Sequence, residues 1–366
     1  MKILYGVQGT GNGHITRARH MAHALAKRSD LQVDYLFSGR ASNNYFDMEV
    51  FNGYQSRRGL TFITENGRIN RCKTLTQNNV YQFITEFRSL VLDNYDLVIN
   101  DFEPVSAWAA KLSGVPSLSV SHQAAFLQNV PKHKQGLTDK IITKHFAPTQ
   151  YSLGTHWYHF GHQIIPPFVT DVTHAAEASK KPSVTTLSGN PFTLVYLPFE
   201  TLTTIQEQLQ IPSEQAFICY HPDISKQVKD KNILWCPLST STFKQDLHRC
   251  AGVIANSGFE LSTECLTLGK ALLLKPLKGQ YEQLSNAYTL KKLDLCEVMH
   301  SVNAEEIDEW LQHRKGTRIS YPGDCQKFVD WIAQGNWHKH QQICKTLWEQ
   351  VKFPDAVKAK LATLHA

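Results

Sequence analysis

The apolar run Ile3–Val7 passes directly into Gly9–Thr10–Gly11–Asn12–Gly13–His14, and apolar residues at helical spacing follow at Ala18, Met21, Ala22, Leu25 and Ala26. Strand, glycine-rich turn and amphipathic helix in that order open a βαβ unit, whose strands run parallel and whose crossovers are helical. The alternation continues. Val33–Phe37, Leu97–Ile99 and Leu118–Val120 read as strands; Val80–Leu92 and Val105–Leu112 read as helices, the second closed by Gly114 and Pro116. A second series begins at Thr193–Leu197 and runs through Ala216–Tyr220, Ile233–Cys236, Val253–Ala255 and Ala271–Leu274. Between the two series, Pro166, Pro167, Pro182 and Pro191 stand among many Ser, Thr and Ala residues with no clear period, the composition of a linker.

A chain of 366 residues accommodates two such domains. The expected architecture is α/β, with two Rossmann-like doubly wound domains. The first spans residues 1–165, the linker 166–191, the second domain 192–330, and a helical tail 331–366 carries Ile343, Leu347 and Val351 on one face.

Composition narrows the function. With 42% apolar and 19% charged residues the chain can bury a normal core, and its apolar runs, such as Ala271–Leu274, fall far short of the roughly 20 residues that span a bilayer. Met1–Leu4 leads straight into a strand pattern without a signal-peptide core, so a cytoplasmic location is expected. The 8 cysteines form no C-x-x-C pair and read as buried thiols in a reducing compartment.

The net charge of +6 is uneven: residues 1–165 hold 17 Lys+Arg against 11 Asp+Glu, and the remainder holds 21 of each. Arg57, Arg58, Arg68, Arg71 and Lys73 form one basic segment, and Lys132, Lys134, Lys140 and Lys144 another. This half is suited to an anionic partner or membrane face, and an incidental surface excess is the alternative. No zinc finger, RNA-recognition signature or Arg-rich helix points to nucleic acid.

The first glycine loop suits a backbone that approaches an anion at a helix N-terminus. It is not a Walker loop, because no Gly-Lys-Ser/Thr closes it. It also departs from the dinucleotide fingerprint: His14 stands where a third Gly is required, and Phe37–Ser38–Gly39 ends the second strand without an acid. A simple tight turn remains the alternative. His14, at the start of a helix, is a candidate general base. Asp101 follows the strand ending at Asn100 and is a candidate to orient His14, although its place also suits an N-cap for the helix near Val105. Glu103 is a second candidate for the same partnership.

A second motif, Asn256–Ser257–Gly258–Phe259–Glu260–Leu261–Ser262–Thr263–Glu264, again links a strand to a helix. Ser257 and Glu260 have capping-box spacing, which leaves Glu264 free one turn later. Gly269, a strand, Pro276, then Glu282–Gln283 and Asn286–Ala287 follow. Glu264 and Gln283 both lie beside loops at strand ends, where carboxylate and amide groups can take ribose and sugar hydroxyls.

Ser-Gly-(five residues)-Glu, then Gly, a strand, Pro and Glu-Gln before Asn-Ala, resembles the donor-binding signature of the GT-B nucleotide-sugar glycosyltransferases, and the first glycine loop matches theirs. The resemblance spans about residues 1–300 and takes in the bacterial N-acetylglucosaminyltransferase acting on lipid I and its uncharacterised microbial relatives. It implies two domains facing across a cleft, with the tail crossing back to the first. It further implies that Glu264 holds the ribose, Glu282 and Gln283 the sugar, and Ser257, Gly258 and Phe259 the diphosphate. Gly11, Asn12 and Gly13 approach the donor, and the loop Leu238–Phe243, with Phe243, frames the base. His14 matches the catalytic His and Asp101 its partner; Glu103, His122 and Arg17 fall on the acceptor side.

The implied reaction is inverting, metal-independent transfer from a nucleotide-diphosphate sugar, UDP-sugar first, to an acceptor hydroxyl. No cofactor is required, and the absence of an Asp-x-Asp motif accords with that. The acceptor is expected to be anionic or lipid-linked, met at the inner face of the membrane. Two alternatives stay open: a sugar-nucleotide 2-epimerase of the same fold, and a non-catalytic nucleotide-sugar-binding protein. The hinge Ile165–Val169 lacks the Arg that relatives set against the diphosphate, which makes Arg17 a candidate replacement.

Overall fold

The computed structural model describes residues 1–45, 47–62, 64–65, 67–69, 73–74, 76, 78–169, 191–210 and 215–364. Arg71, Cys72 and most of the expected linker lie outside the described residues.

The first domain is a seven-stranded, wholly parallel sheet. Its strands are β1 (Lys2–Gln8), β2 (Gln32–Ser38), β3 (Gln55–Ser56), β6 (Leu97–Asp101), β7 (Ser117–Ser121), β8 (Tyr151–Thr155) and β9 (Ile164–Ile165), and a separate hairpin pairs β4 (Thr64–Glu65) with β5 (Arg68–Ile69). Strand order is β3-β2-β1-β6-β7-β8-β9. Helices α1 (Asn12–Leu25), α2 (Val80–Ser89), α3 (Pro104–Ser113), α4 (His122–Ala125) and α5 (Leu137–His145) supply the crossovers.

The second domain repeats the plan with β10 (Phe192–Tyr196), β11 (Ala216–Tyr220), β12 (Val228–Asp230), β13 (Ile233–Cys236), β14 (Gly252–Ala255), β15 (Ala271–Leu274) and β16 (Glu297–Val298). Their order is β12-β13-β11-β10-β14-β15-β16, parallel except for β12 against β13. Around this sheet lie α6 (Leu202–Leu209), α7 (Thr240–Arg249), α8 (Phe259–Leu268), α9 (Tyr281–Lys292) and α10 (Ala304–His313).

Each sheet is two-sided, so its strands read as nearly continuous apolar runs. Ile3, Tyr5, Val7, Ile99 and Leu118 sit in the first core; Leu194, Ile218, Val253 and Leu272 sit in the second. In both sheets the order in which strands are added reverses at one place, between β1 and β6 and between β10 and β14. Crevices open at such switch points, at the carboxyl ends of the strands. The glycine loop and Asp101 occupy the first; Asn256–Gly258 occupies the second.

The C-terminal segment crosses the domains twice. Helices α11 (Gln326–Ala333) and α12 (His340–Trp348) bury Phe328, Trp331, Ile332, Ile343 and Leu347 in the first core. Helix α13 (Asp355–Leu364) instead buries Val357 and Leu361 in the second core. The tail expected on the first domain alone is therefore divided, because the apolar faces of its last two helices meet different cores.

Two further links hold the halves together. The indole of Trp157 lies in the second core and donates to Thr263 Oγ1 at 2.9 Å. At the hairpin, the Gly67 N–H donates to the Phe199 carbonyl at 2.8 Å, and the Gly67 carbonyl accepts from Lys278 N–H at 3.0 Å. Among the described residues, no helix is long and apolar enough to cross a membrane.

Candidate active site between the domains

His14 and Arg17 lie three apart on α1 and so share one face. Both meet Asp101 at the end of β6. His14 Nδ1 is 2.8 Å from Asp101 Oδ1, Arg17 Nε donates to Oδ2 at 2.8 Å, and Arg17 Nη2 donates to Oδ1 at 2.8 Å. Burial pushes the Asp101 carboxyl up, but Arg17 and His14 outweigh it and hold it below the ordinary carboxylate range. An ionised Asp101 keeps the proton on Nδ1 and leaves Nε2 as the accepting nitrogen. Phe102, the next residue, has φ 55°. This conformation is costly for a bulky side chain and is held here by the surroundings.

Glu103 is used differently from the sequence-based expectation. It is the N-cap of α3, accepting from Val105 N–H at 2.7 Å and Ser106 N–H at 2.6 Å, and it takes the Ser38 hydroxyl at 2.5 Å. The longer acid two residues on reaches back to the helix, which leaves Asp101 free for α1. His122 is 1% exposed, with Nδ1 on the Thr155 carbonyl at 2.9 Å and Nε2 on Asn286 Oδ1 at 2.6 Å. Its ring stacks on Phe259 at 3.9 Å, so it belongs to the seam between domains rather than to an open acceptor side.

Across the gap, Gly258 is the N-cap of α8 and Gly11 that of α1, and neither N-terminus has a side-chain cap. Their N–H groups and partial positive charge are left for a ligand. The capping box of Ser257 and Glu260 does not form. Ser257 donates instead to the Gln283 carbonyl at 2.8 Å, and Glu260 pairs with Arg17 Nη1. Arg17 is 6% exposed and bound to two carboxylates, which removes it as a replacement for the hinge Arg.

A cleft of about 140 Å³ lies between the domains, lined by Asn12, Gly13, Tyr196, Leu238, Phe243 and Glu264 among others. Phe243 packs edge-on against Tyr196 and Tyr220. Asn12 faces the cleft and accepts from Arg40 at 3.2 Å. Glu264 is half-buried, and burial raises its carboxyl pKa against the pull of Lys244. Gln283 spends its side-chain oxygen on Leu277 N–H at 2.9 Å. Glu282 accepts from Gln123 Nε2 at 2.8 Å, and that same amide nitrogen lies 3.4 Å from His14 Nε2. A larger cavity, at the outer edge of the second sheet between β16 and α10, shares no residue with this cleft.

The family model for glycosyl transferase family 1 matches residues 1–314. The chain belongs to glycosyl transferase family 1. Among curated proteins, none matches this family member in sequence. Three solved structures share its fold at low identity. MurG of Acinetobacter baumannii is 15% identical over 91% of this chain and 99% of its own, with TM-score 0.55. UGT89C1 of Arabidopsis thaliana, solved with UDP, is 12% identical over 100% and 98%, with TM-score 0.52. The UDP-GlcNAc 2-epimerase of Neisseria meningitidis, solved with UDP-GlcNAc, is 12% identical over 92% and 99%, with TM-score 0.58. The two-domain architecture of this glycosyltransferase is thus GT-B.

Two residues that meet Arg17 and His14 in this glycosyltransferase do not stand out in a local reading of the sequence. Glu260 has capping-box spacing in the sequence, whereas burial, aided by Asp101 and Glu264 and opposed by Arg17, pushes its carboxyl up to about 7. Gln123 went unnoticed, although it follows β7 at the same carboxyl edge that supplies His14 and Asp101, and that position was the available signal.

Proposed function

We propose that the protein is an inverting glycosyltransferase that uses a UDP-sugar. The single observation that carries this reading is the pairing of His14 with a buried, ionised Asp101 beside two uncapped helix N-termini. In this reading, His14 Nε2 takes the proton of an acceptor hydroxyl as that oxygen attacks the anomeric carbon. The bond from that carbon to the diphosphate breaks, and the N–H groups of α1 and α8 receive the negative charge that leaves. Arg17 holds Asp101, and Asp101 holds the ring. Glu264 accepts the ribose hydroxyls while Phe243, with Tyr196, offers apolar surface to the base. Glu282, with Gln123 bridging to His14, faces the sugar. The basic first half is proposed to meet an anionic or lipid-linked acceptor at a membrane face.

Incubation with UDP-GlcNAc alone, followed by NMR, tests the class. A transferase releases UDP slowly or not at all, and a C2 epimer would assign the protein to the epimerases. Thermal shift with UDP tests the donor: at 100 times its Kd, a true ligand adds about 2.7 kcal/mol of stability. No stabilisation by UDP or any UDP-sugar would remove the reading.

A further inference from the structure

Glu260 stands at the place in the cleft best suited to an anion. It lies in the first turn of α8, whose N-terminus has no side-chain cap, and it lines the cleft. Its stem rests against the first turn of α1: a Cβ added at Gly13 would come within 3.2 Å of Glu260 Cγ. The side chain therefore lies at the uncapped start of one helix and against that of the other, where negative charge is favoured. One of its oxygens, Oε1, takes Arg17 Nη1, and Oε2 makes no hydrogen bond among the described residues. The two helix ends thus hold an anion of the protein's own before any ligand arrives.

The charges around it do not balance. Arg17 faces two acids, Asp101 and Glu260, and Glu264 follows one turn on along α8. His14 shares a face of α1 with Arg17, and Lys244 of α7 acts on Glu264. With both of its acids ionised, the Arg17 cluster carries one surplus negative charge; a neutral Glu260 removes it. A diphosphate entering between the same helix ends meets that surplus at close range. In a cleft with little water, the least costly relief is a proton on the acid nearest neutrality. Arg17 and His14 hold Asp101 ionised, whereas burial, opposed by Arg17 and aided by Asp101 and Glu264, already holds Glu260 up at about 7. We infer that Glu260 is a donor-site residue that takes up one proton from water when a nucleotide sugar binds and, as a neutral carboxyl, donates it to a phosphate oxygen. This rests on the reading of the cleft as a nucleotide-sugar site. Arg17 stays on Asp101 throughout, so the pairing with His14 is undisturbed, and the proton returns to water when the nucleotide leaves.

The test uses the full chain with UDP-GlcNAc and UDP-glucose, neither of which gains or loses a proton between pH 6 and 8. Titration calorimetry at pH 8, in two buffers of different ionisation enthalpy, counts the protons taken up, and Kd is measured from pH 6 to 8. The expected result is uptake of about one proton at pH 8 and a Kd about tenfold higher at pH 8 than at pH 6, as linkage to a group near 7 requires. Glu260→Gln keeps the shape without the charge. It should take up no proton, bind with a Kd nearly independent of pH, and at pH 8 bind about tenfold tighter than the wild type by the same linkage. His14→Gln should keep the uptake, which separates Glu260 from the other proton acceptor beside Arg17. The wild-type proton count and His14→Gln serve if Glu260→Gln fails to fold. Binding without proton uptake, uptake that Glu260→Gln retains, or uptake that His14→Gln abolishes overturns the inference and leaves the donor reading intact. If neither nucleotide sugar nor UDP binds at any of these pH values, the donor reading falls and the inference with it.

Discussion

Arg17 of the first domain and Glu260 of the second form a buried ion pair across the domain interface, and the other edge of the same guanidinium grips Asp101. The carboxylate paired with His14 is thereby tied to helix α8 of the second domain. Burial alone would lower the Arg17 pKa, but Asp101 and Glu260 overcome it and keep the side chain charged. Removing Arg17 takes from the buried Asp101 carboxylate its main counter-charge. Arg17→Ala is therefore expected to destabilise the protein by about 3–5 kcal/mol in urea titration, and Arg17→Lys by less, since a lysine keeps the charge but loses the two-sided fork.

Acid should act against the buried histidines. Burial, with Lys244 adding to it, lowers the His20 pKa to about 4, and burial also lowers His122 and His156. Between the unfolded value of about 6.5 and the folded value, the unfolded chain binds the protons that the folded chain refuses, so stability falls as pH falls. His20 alone is expected to remove about 3 kcal/mol between pH 6.5 and 4. Glu260, raised to about 7, acts in the opposite sense, since the folded chain takes up that proton first, so the test is the difference between wild type and His20→Gln: urea midpoints at pH 7.5, 6 and 5 should show the variant losing less stability to acid than the wild type.

Gly67 has φ +69°, and a Cβ there would run into the Glu200–Lys275 ion pair. Gly67→Ala is expected to lift the hairpin from the second domain, with global stability changed by about 1 kcal/mol. Hydrogen exchange at the Gly67 and Lys278 amides should quicken, while the β1 and β10 amides stay protected.

Glu264 lines the cleft and is assigned the donor ribose. Hydrogen bonds to a charged group contribute about 1.5–3 kcal/mol, so Glu264→Ala should raise the Kd for UDP about ten- to hundredfold. An unchanged Kd would return Glu264 to the helix surface.

The layout of the fold was legible because strand and helix periods differ and each glycine loop stood between them. His14 and Asp101 were legible as a pair because both follow strands at a parallel sheet's carboxyl edge. The Arg17–Glu260 link was not: its members are 243 residues apart, and spacing alone assigned Glu260 to Ser257. Nothing local reveals that the Ser257 hydroxyl is drawn to the Gln283 carbonyl. The roles of Asp101 and Glu103 also depended on a backbone turn at Phe102 that periodicity does not encode. In the tail, helical pattern was readable, but which core each apolar face would meet was not.

The central claim is that His14 removes the acceptor proton, and the most direct measurement is the rate of sugar transfer by His14→Ala beside its affinity for UDP. The account predicts a kcat lower by about 10²–10⁴ with UDP affinity nearly unchanged, and a smaller loss for Asp101→Asn. A His14→Ala protein that keeps its kcat would contradict it.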